Sequence, residues 1–275
     1  MSSTGSTRLK RALDSAEADG RKSMGIFLTC GFPQLDATLP LLQAIGRAGA
    51  DFIEVGMPFS DPLAEGGPIQ NSSAIALANG TTLADVLAVV RAFRTTSETP
   101  VVLMGYANPV YHFGVDRFCA EAAAAGVDGL ILPDLPIDEA EQLRRAATAN
   151  GIDVIFLIAP NTPDERARSI DRVTTGFVYA VAFAGLTGDT IDTGVTLQRY
   201  LETARRLISN RLLVGFGIKS ADDAAIASVH ADGFIVGSAL ISHVQALWDD
   251  HNLTMNDRIS DVESFVRNLR PPTRN

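Results

Sequence analysis

Glu54 is the residue whose position in the sequence points most clearly to acid–base chemistry. It lies inside the apolar run Phe52–Gly56, where strand alternation directs it to the side opposite Ile53 and Val55. In a closed sheet one of those directions is the interior, and a buried carboxylate is costly unless it is paired or used. Burial also raises a carboxyl pKa toward the range that suits proton transfer near pH 7. The competing interpretation is a strand-end Glu that points into solvent.

The loop after Glu54 carries two further acids. Residues 57–70 include Asp61 and Glu65; their prolines restrict the path of the chain, while Gly66-Gly67 permits a hinge. Asp61 precedes a proline, where capping a turn is the common role of Asp. Glu65 has no such local role. It is therefore the second candidate for a carboxyl group that works beside Glu54.

Two glycine loops near the end of the chain are suited to an anion. Residues 215–218 (Gly-Phe-Gly-Ile) and 237–239 (Gly-Ser-Ala) each follow a β-rich apolar run. Backbone N–H groups in such loops and at helix starts bind phosphate, and the Ser238 hydroxyl adds a donor. A further segment, Gly185–Gly188, has the flanking glycines of a mobile lid, with Thr187 as its hydrogen-bonding side chain. The alternative for each loop is a tight turn without a ligand.

Composition restricts the classes of ligand and partner. The 275 residues are 46% hydrophobic and 20% charged, which supports a large buried core, and the formal net charge is −9. A surface this acidic, without a basic stripe, disfavours nucleic acid and anionic membranes. The longest apolar runs are too short to cross a bilayer, and residues 1–8 lack an apolar signal segment. We therefore predict a soluble protein that acts on a small molecule.

Cysteine and histidine patterns indicate neither a disulfide nor a metal site. For Cys30 and Cys119 we expect buried thiols in a reducing cytoplasm. The four histidines lack metal-ligand spacing, so we predict no metal. Nucleophile-elbow, Walker and dinucleotide-binding motifs do not occur in the sequence.

Eight β-rich apolar runs alternate with helical patterns along almost the whole chain. The predicted strands are Met24–Thr29, Phe52–Val55, Pro100–Met104, Gly129–Leu132, Asp153–Ile158, Phe177–Val181, Leu212–Val214 and Phe234–Val236. The predicted helices are Ala37–Arg47, Leu83–Arg94, Val115–Ala125, Asp138–Asn150, Pro163–Arg172, Leu197–Ser209, Ala221–Ser228 and Asp257–Leu269, with a short turn expected over Ala239–Trp248. Buried parallel strands with crossover helices, repeated regularly over roughly 250 residues, favour a closed (β/α)8 TIM barrel over an open α/β sheet.

We predict one barrel domain over residues 1–275, with residues 1–15 forming an N-terminal extension or helix. The connections 58–81 and 182–196 are long, and both follow a strand, so both belong to the end of the barrel where active sites form. Three segments, Gly49–Ile53, Gly126–Leu130 and Ala231–Ile235, each place a small residue and an Asp just before a strand. Shared turn chemistry is sufficient to explain this repeat.

Several motifs, in one order, make the sequence similar to a known family. They are residues 54–64 (Glu-Val-Gly-Met-Pro-Phe-Ser-Asp-Pro-Leu-Ala), 104–109 (Met-Gly-Tyr-Ala-Asn-Pro), 133–136 (Pro-Asp-Leu-Pro), 185–188, 215–218 and 237–239. The segment from about residue 24 to 245 resembles the tryptophan synthase alpha subunit family, and so many spaced motifs make the resemblance specific. It implies a (β/α)8-barrel lyase that cleaves indole-3-glycerol phosphate to indole and glyceraldehyde 3-phosphate in a retro-aldol reaction.

The resemblance also implies residue roles. Glu54 is expected to protonate the indole ring carbon and to take the side-chain hydroxyl proton, while Glu65 accepts the indole N–H. Thr187 is expected to orient Glu65 when the lid closes. The other expected substrate contacts are Phe27, Tyr106 and Tyr179 around the indole pocket, and Gly188, Gly217, Gly237 and Ser238 at the phosphate. Asp61 and Asn108 match positions that face a beta subunit.

The family resemblance implies that this chain needs no cofactor, with pyridoxal phosphate only in the beta partner of a heterotetramer. The chain departs from the family at Glu65, where Asp is usual, and at Ala182-Phe183, where Ser-Arg is common. One extra methylene moves a carboxylate by about a bond length, and a misplacement of roughly 1 Å can cost on the order of 100-fold in rate. Two alternatives stay open: a stand-alone indole-releasing lyase, and a low-turnover regulatory subunit that binds the ligand and activates a beta partner.

Overall fold

A sheet of parallel strands forms the centre of the protein. The computed structural model describes residues 7–181, 193–215 and 217–271, and of residues 193–196 it describes the main chain alone. In chain order the strands are β1 (Ser23–Thr29), β2 (Phe52–Gly56), β3 (Val101–Met104), β4 (Gly129–Ile131), β5 (Asp153–Ile155), β6 (Leu157–Ile158), β7 (Val178–Val181), β8 (Leu212–Gly215) and β9 (Gly233–Val236). Neighbouring strands are parallel, in the order β5-β4-β3-β2-β1-β9-β8-β7-β6.

The sheet closes through the chain that joins its two end strands. Phe156 alone separates β5 from β6, so the two together form the strand predicted at 153–158. The Phe156 carbonyl accepts the N–H of Tyr179 at 3.0 Å, which carries the pairing with β7 across the break. With β5 and β6 taken as one strand, the sheet is the barrel that the sequence predicted, and the (β/α)8 fold is confirmed.

Helices surround the barrel. They are α1 (Thr7–Ala18), α2 (Leu35–Arg47), α3 (Gly67–Ala78), α4 (Leu83–Arg94), α5 (Ala107–Phe113), α6 (Val115–Ala125), α7 (Glu141–Ala149), α8 (Asp164–Val173), α9 (Thr193–Leu207), α10 (Ala221–Ala227), α11 (Ser238–Asp249) and α12 (Met255–Asn268). Nearly all strand residues are buried, which is why the strands are continuous apolar runs in the sequence. In the part of the chain that the structure describes, no single helix is long and apolar enough to span a membrane; α3 and α4 pass that test only when combined across a 99° bend.

Three helices lie where the sequence indicated loops or a turn. The prediction of a short turn over Ala239–Trp248 is wrong, because this segment belongs to the 12-residue helix α11. The long connection after β2 contains α3, whose first turn holds Pro68, where a missing N–H costs nothing. The connection after β3 contains α5, which was not predicted. The Gly, Pro and Ser residues of these segments mark helix starts as well as loops.

The repeated aspartates before three strands share one bonding pattern at the amino-terminal end of the barrel. Each carboxylate accepts an N–H at the start of a neighbouring strand. It also binds an arginine from the segment that precedes that neighbouring strand. Asp51 binds Met24 N at 2.8 Å and Arg21 at 2.6 Å, Asp128 binds Val101 N at 2.9 Å and Arg94 at 2.7 Å, and Asp232 binds Leu212 N at 2.8 Å and Arg205 at 2.6 Å. The sequence repeat is therefore a strand-joining device, far from the carboxyl ends of the strands.

Candidate active site

Glu54 is fully buried in β2. It pairs in register with Phe27 of β1 and Val102 of β3, and it is 0% exposed. Neither of its carboxyl oxygens has a hydrogen-bond partner among the described residues. Desolvation by burial, followed by the nearby charge of Glu65, raises the Glu54 pKa from 4.5 to about 8. At pH 7 the group is therefore mainly protonated and able to act as an acid.

Aromatic rings from opposite sides of the barrel meet in its interior. Phe52 lies two residues before Glu54, on the same side of β2, and its ring centroid is 5.3 Å from that of Phe177. Tyr179 continues this cluster, with its ring centroid 6.3 Å from that of Phe177. These rings lie in the interior of the barrel, where Glu54 is also fully buried. Burial, and then the charges of Glu54 and Glu65, raise the pKa of Tyr179 well above 10.

Two strand glycines make room for rings of this cavity. A Cβ at Gly56 would lie 2.6 Å from Phe27 Cζ, and a Cβ at Gly215 would collide with the Tyr179 hydroxyl. Any larger residue at either position would displace its neighbouring ring. Phe27 and Tyr179 are 4% and 8% exposed, so each is packed against the wall of the barrel.

Two hydrogen bonds to side chains hold the main chain at Ala64 and Glu65. Ala64 N donates to Tyr106 Oη at 2.9 Å, and the Glu65 carbonyl accepts the side-chain amide of Gln70 at 2.9 Å. Glu65 is partly buried, and desolvation raises its pKa from 4.5 to about 7. A carboxyl group with this pKa is divided between its two protonation states at neutral pH.

The loop that carries Glu65 is also anchored further back. Ser73 Oγ accepts the N–H of Phe59 at 2.9 Å, and the Phe59 ring stacks on Tyr106 with the centroids 4.9 Å apart. Between Phe59 and Ala64 the crest of the loop is open to solvent, and Leu63 is 89% exposed. The loop is therefore held at both ends and exposed in the middle.

The two glycine loops follow adjacent strands. Gly215 of β8 pairs with Ile235 of β9, so Gly217 and Gly237 each come two residues after a paired position. Gly217 has a φ of +51°, which favours glycine. Ser238 is the first residue of α11, and the first N–H groups of a helix have no acceptor within it. A helix thus starts at the position where the sequence predicted an anion site, and anion binding there stays a prediction.

The glycine loops and the carboxyl loop border one space at the mouth of the barrel. A Cβ at Gly237 would lie 3.5 Å from Phe27 Cβ, and a Cβ at Gly66 would lie 4.0 Å from Ser238 Oγ. Gly66 follows Glu65 directly. The start of α11, the Phe27 wall and the second carboxyl group are thus neighbours, although they come from distant parts of the sequence.

The remaining predicted residues fall into two groups. Asp61, on the loop crest, and Asn108, in the first turn of α5, are both exposed, and they follow the neighbouring strands β2 and β3. Thr187 and Gly188 lie outside the described residues, as does the rest of the predicted lid at Gly185–Gly188. Within residues 7–181, 193–215 and 217–271, no three His, Cys, Asp or Glu side chains are grouped so that they could hold a metal ion.

Asp134 belongs to this site although no role for it was predicted. Its two carboxylate oxygens accept the N–H of Ala107 at 3.0 and 3.1 Å, which fixes the start of α5 one residue after Tyr106. A signal existed, since Asp134 closely follows a predicted strand and so lies at the same end of the barrel as Glu65. Ser73 offered no comparable signal, because a serine inside a helix is not unusual.

A parallel barrel with two carboxyl groups of raised pKa, aromatic walls and a glycine-led helix start at its mouth has the features of a barrel enzyme of the acid–base lyase class. Residues 13–270 match the family model described as tryptophan synthase alpha chain. The tryptophan synthase alpha chain of Geobacter sulfurreducens is 40% identical over 264 residues, which cover 96% of this chain and 98% of that protein. That of Pelobacter propionicus is 42% identical over 263 residues and 96% of each chain.

Solved structures agree with this match. The tryptophan synthase alpha chain of Legionella pneumophila superposes with a TM-score of 0.83 at 36% identity, covering 95% of this chain and 97% of that one. A chain of the tryptophan synthase complex from Pyrococcus furiosus superposes with a TM-score of 0.79 at 39% identity, covering 90% and 98%. This chain belongs to the tryptophan synthase alpha chain family.

Proposed function

We propose that this chain cleaves indole-3-glycerol phosphate to indole and glyceraldehyde 3-phosphate, as the alpha subunit of a tryptophan synthase in tryptophan biosynthesis. The single observation that carries the proposal is the fully buried carboxyl group of Glu54, protonated at neutral pH and charge-coupled to Glu65. Membership of the family supports the same reaction. The acid–base steps need only side chains of this chain, so no cofactor is included.

The first step is proton transfer to the indole ring. Protonated Glu54 donates its proton to the ring carbon that bears the glycerol phosphate side chain, and positive charge develops on the ring nitrogen. Ionised Glu65 accepts the hydrogen bond of the indole N–H and stabilises that charge. Phe27, Tyr106 and Tyr179 form the apolar walls beside the ring.

The second step breaks the carbon–carbon bond. The Glu54 carboxylate removes the proton from the hydroxyl on the adjacent side-chain carbon, and a carbonyl forms there. The electron pair of the broken bond returns to the ring and restores indole, so Glu54 ends in the protonated state in which it began. Gly217, Gly237 and Ser238 bind the phosphate through N–H groups and one hydroxyl, with Gly188 and Thr187 as the proposed contributions of the lid.

The proposed contact with a beta subunit has two parts: the exposed crest with Asp61 and the first turn of α5 with Asn108. The proposed assembly is a heterotetramer. Both residues are exposed on neighbouring segments, which supports a common partner surface. Pyridoxal phosphate belongs to the beta partner in this proposal. A cytoplasmic location is part of it, and the unpaired thiols of Cys30 and Cys119 are consistent with a reducing compartment.

Measuring indole release by the purified chain, with and without a beta subunit, tests the proposed function. Release that is strongly accelerated by the partner supports the synthase subunit, and fast release by the chain alone supports the stand-alone lyase. Ligand binding without release in either case would overturn the lyase. The regulatory alternative depended on Glu65 in place of Asp, and membership of the tryptophan synthase alpha chain family does not favour it.

The pH dependence of kcat/KM is expected to be bell-shaped. Glu65 must be ionised to accept the indole N–H, so the rate rises through its pKa of about 7, and Glu54 must be protonated to start the reaction, so the rate falls through its pKa of about 8. Initial rates of indole release between pH 5.5 and 9.5 check this, and Glu65→Gln should remove the acid limb. An acid limb near 4.5, the ordinary Glu pKa, would contradict the assignment.

Glu65→Asp is expected to leave kcat for indole release unchanged or higher. The substitution keeps a carboxylate and shortens it by one methylene to the side chain that is usual in the family. The hydrogen bonds of the Ala64 N–H and of the Glu65 carbonyl do not involve this side chain. Steady-state kcat of the two chains is the measurement, and a loss of about 100-fold, the cost of roughly 1 Å of misplacement, would show that the loop is tuned to Glu.

A further inference from the structure

We infer that Tyr106 is a positioning residue for Glu65: its hydroxyl and ring hold the loop after β2 so that the Glu65 carboxylate stays directed toward Glu54. This inference rests on the proposed function and assigns Tyr106 a task beyond lining the indole pocket. Tyr106 acts on the reaction through Glu65, and Asp134 acts on Tyr106.

Tyr106 binds the loop at two points. Its hydroxyl oxygen accepts the N–H of Ala64, the residue before Glu65, at 2.9 Å, and its ring stacks on Phe59 at 4.9 Å between centroids and 23° between planes. The loop turns tightly between these points, since Glu65 N donates to the Pro62 carbonyl at 3.1 Å. Both contacts come from one side chain, so its position affects both ends of the turn, in addition to the bonds of Ser73 to Phe59 and of Gln70 to Glu65.

Tyr106 is itself held firmly. It is 5% exposed and directly precedes α5, whose first residue, Ala107, donates its N–H to both oxygens of Asp134. Burial raises the pKa of Tyr106 to about 12, with the charges of Glu65 and Asp134 adding to the effect. The hydroxyl is therefore neutral throughout the working range, and its acceptor role toward Ala64 does not change with pH.

The position of Glu65 matters because several titratable groups lie close to its carboxylate. Glu54 from β2, Tyr179 from β7 and Tyr106 all respond to its charge, and Asp134 lies behind Tyr106. A loop released by Tyr106 would let Glu65 move into solvent, since the crest beside it is already exposed. The carboxylate would then lose both its alignment with Glu54 and its apolar surroundings.

Tyr106→Phe removes the acceptor for Ala64 N–H and keeps the ring, so the fold and the stack on Phe59 are retained. We expect kcat for indole release to fall roughly 10-fold, with KM and the affinity for glyceraldehyde 3-phosphate little changed, because less than about 1 Å of misplacement is sufficient for such a loss. Tyr200→Phe is the matched control: it also loses one hydroxyl bond, to the Ile158 carbonyl at 2.9 Å, but that bond does not involve the loop after β2. A raised KM with unchanged kcat in Tyr106→Phe would overturn the inference and leave only a pocket-lining role.

A double-mutant cycle with Glu65→Gln tests whether Tyr106 acts through Glu65. Once the carboxylate is absent, adding Tyr106→Phe should lower kcat by less than about twofold, because interacting residues are non-additive. Effects that multiply in full would show that the two residues act independently. That result would also overturn the inference.

Titration of the Glu65 carboxyl by 13C NMR gives a readout that needs no turnover. The midpoint in the parent chain is expected near 7, and in Tyr106→Phe it should move toward 4.5 as Glu65 becomes solvated. An unmoved midpoint would overturn the positioning role even in an active enzyme. Conversely, a parent chain that releases no indole with or without a beta subunit would overturn the proposed function, while this titration would still decide the role of Tyr106.

Discussion

Replacing Glu54 with Gln is expected to lower kcat for indole release by about 10³-fold or more, since a positioned acid–base group contributes about 10²–10⁴-fold and this one serves both proton transfers. Gln has nearly the same shape but can neither give its proton to the ring carbon nor take one from the hydroxyl. Binding of glyceraldehyde 3-phosphate should be unchanged, because the proposed phosphate contacts are at Gly217 and Gly237. Single-turnover indole release and equilibrium binding are the measurements, and retained turnover would remove Glu54 from the mechanism.

The stability of the same variant provides its folding control. The folded-state pKa of Glu54, about 8, lies above its unfolded value of 4.5. The neutral carboxyl therefore contributes stability that is complete below pH 4.5 and is lost as pH rises through 8. Gln never ionises, so at pH 9 the variant should be more stable than the parent by up to about 5 kcal/mol, and the difference should vanish at pH 4. A less stable variant at pH 9 would show that the activity loss reflects misfolding.

Asp128→Ala is expected to lower the free energy of unfolding by about 3–5 kcal/mol, the usual effect of removing one partner of a buried ion pair. Asp128 is 2% exposed and accepts hydrogen bonds from Arg8 at 2.9 Å, Arg94 at 2.7 Å and the N–H of Val101 at 2.9 Å. Its loss leaves the guanidinium of Arg94 and the start of β3 without this acceptor. Urea unfolding at pH 7, followed by circular dichroism, measures the change.

Glu98→Ala is the matched control for Asp128→Ala. Glu98 also forms an ion pair with Arg8, at 3.7 Å, but its side chain is 79% exposed. Solvent screening leaves such pairs worth less than about 1 kcal/mol. Equal losses of unfolding free energy in the two variants would contradict the view that the contribution of Asp128 to stability depends on its burial and not on the ion pair alone. Both residues precede strands, at the amino-terminal end of the barrel and away from the loops of the proposed site, so kcat should stay at the parental value in both.

The barrel itself could be predicted because its signals are local. Helices α4 and α6 begin and end at the predicted residues: Thr82 and Asp85 form a capping box at the start of α4, and Gly126, with φ +93°, ends α6. Buried parallel strands are apolar throughout, and each is separated from the next by a helical pattern. These features depend on neighbours within a few residues, which a single sequence contains.

The same local signals failed where one residue type serves two purposes. Gly237-Ser238 was assigned to a phosphate loop that is followed by a short turn over Ala239–Trp248, yet it opens the full helix α11. Gly66-Gly67 was assigned to a hinge in a long loop, yet it leads into α3. Glycine, serine and proline are common both in loops and at helix starts, and only packing against the barrel decides which of the two forms.

By its residue types and their spacing, the sequence determined which groups are present for chemistry: a carboxyl group between aliphatic residues of a strand, a second one in the loop after it, and two glycine loops near the end. Only the tertiary structure decided how these groups behave. The pKa of Glu54 depends on its burial inside the barrel and on the charge of Glu65, and the loop that carries Glu65 is bound by Tyr106, which follows the next strand. Desolvation and Coulomb interactions act over a few ångströms of space, and those separations exist only after distant segments have closed into one barrel.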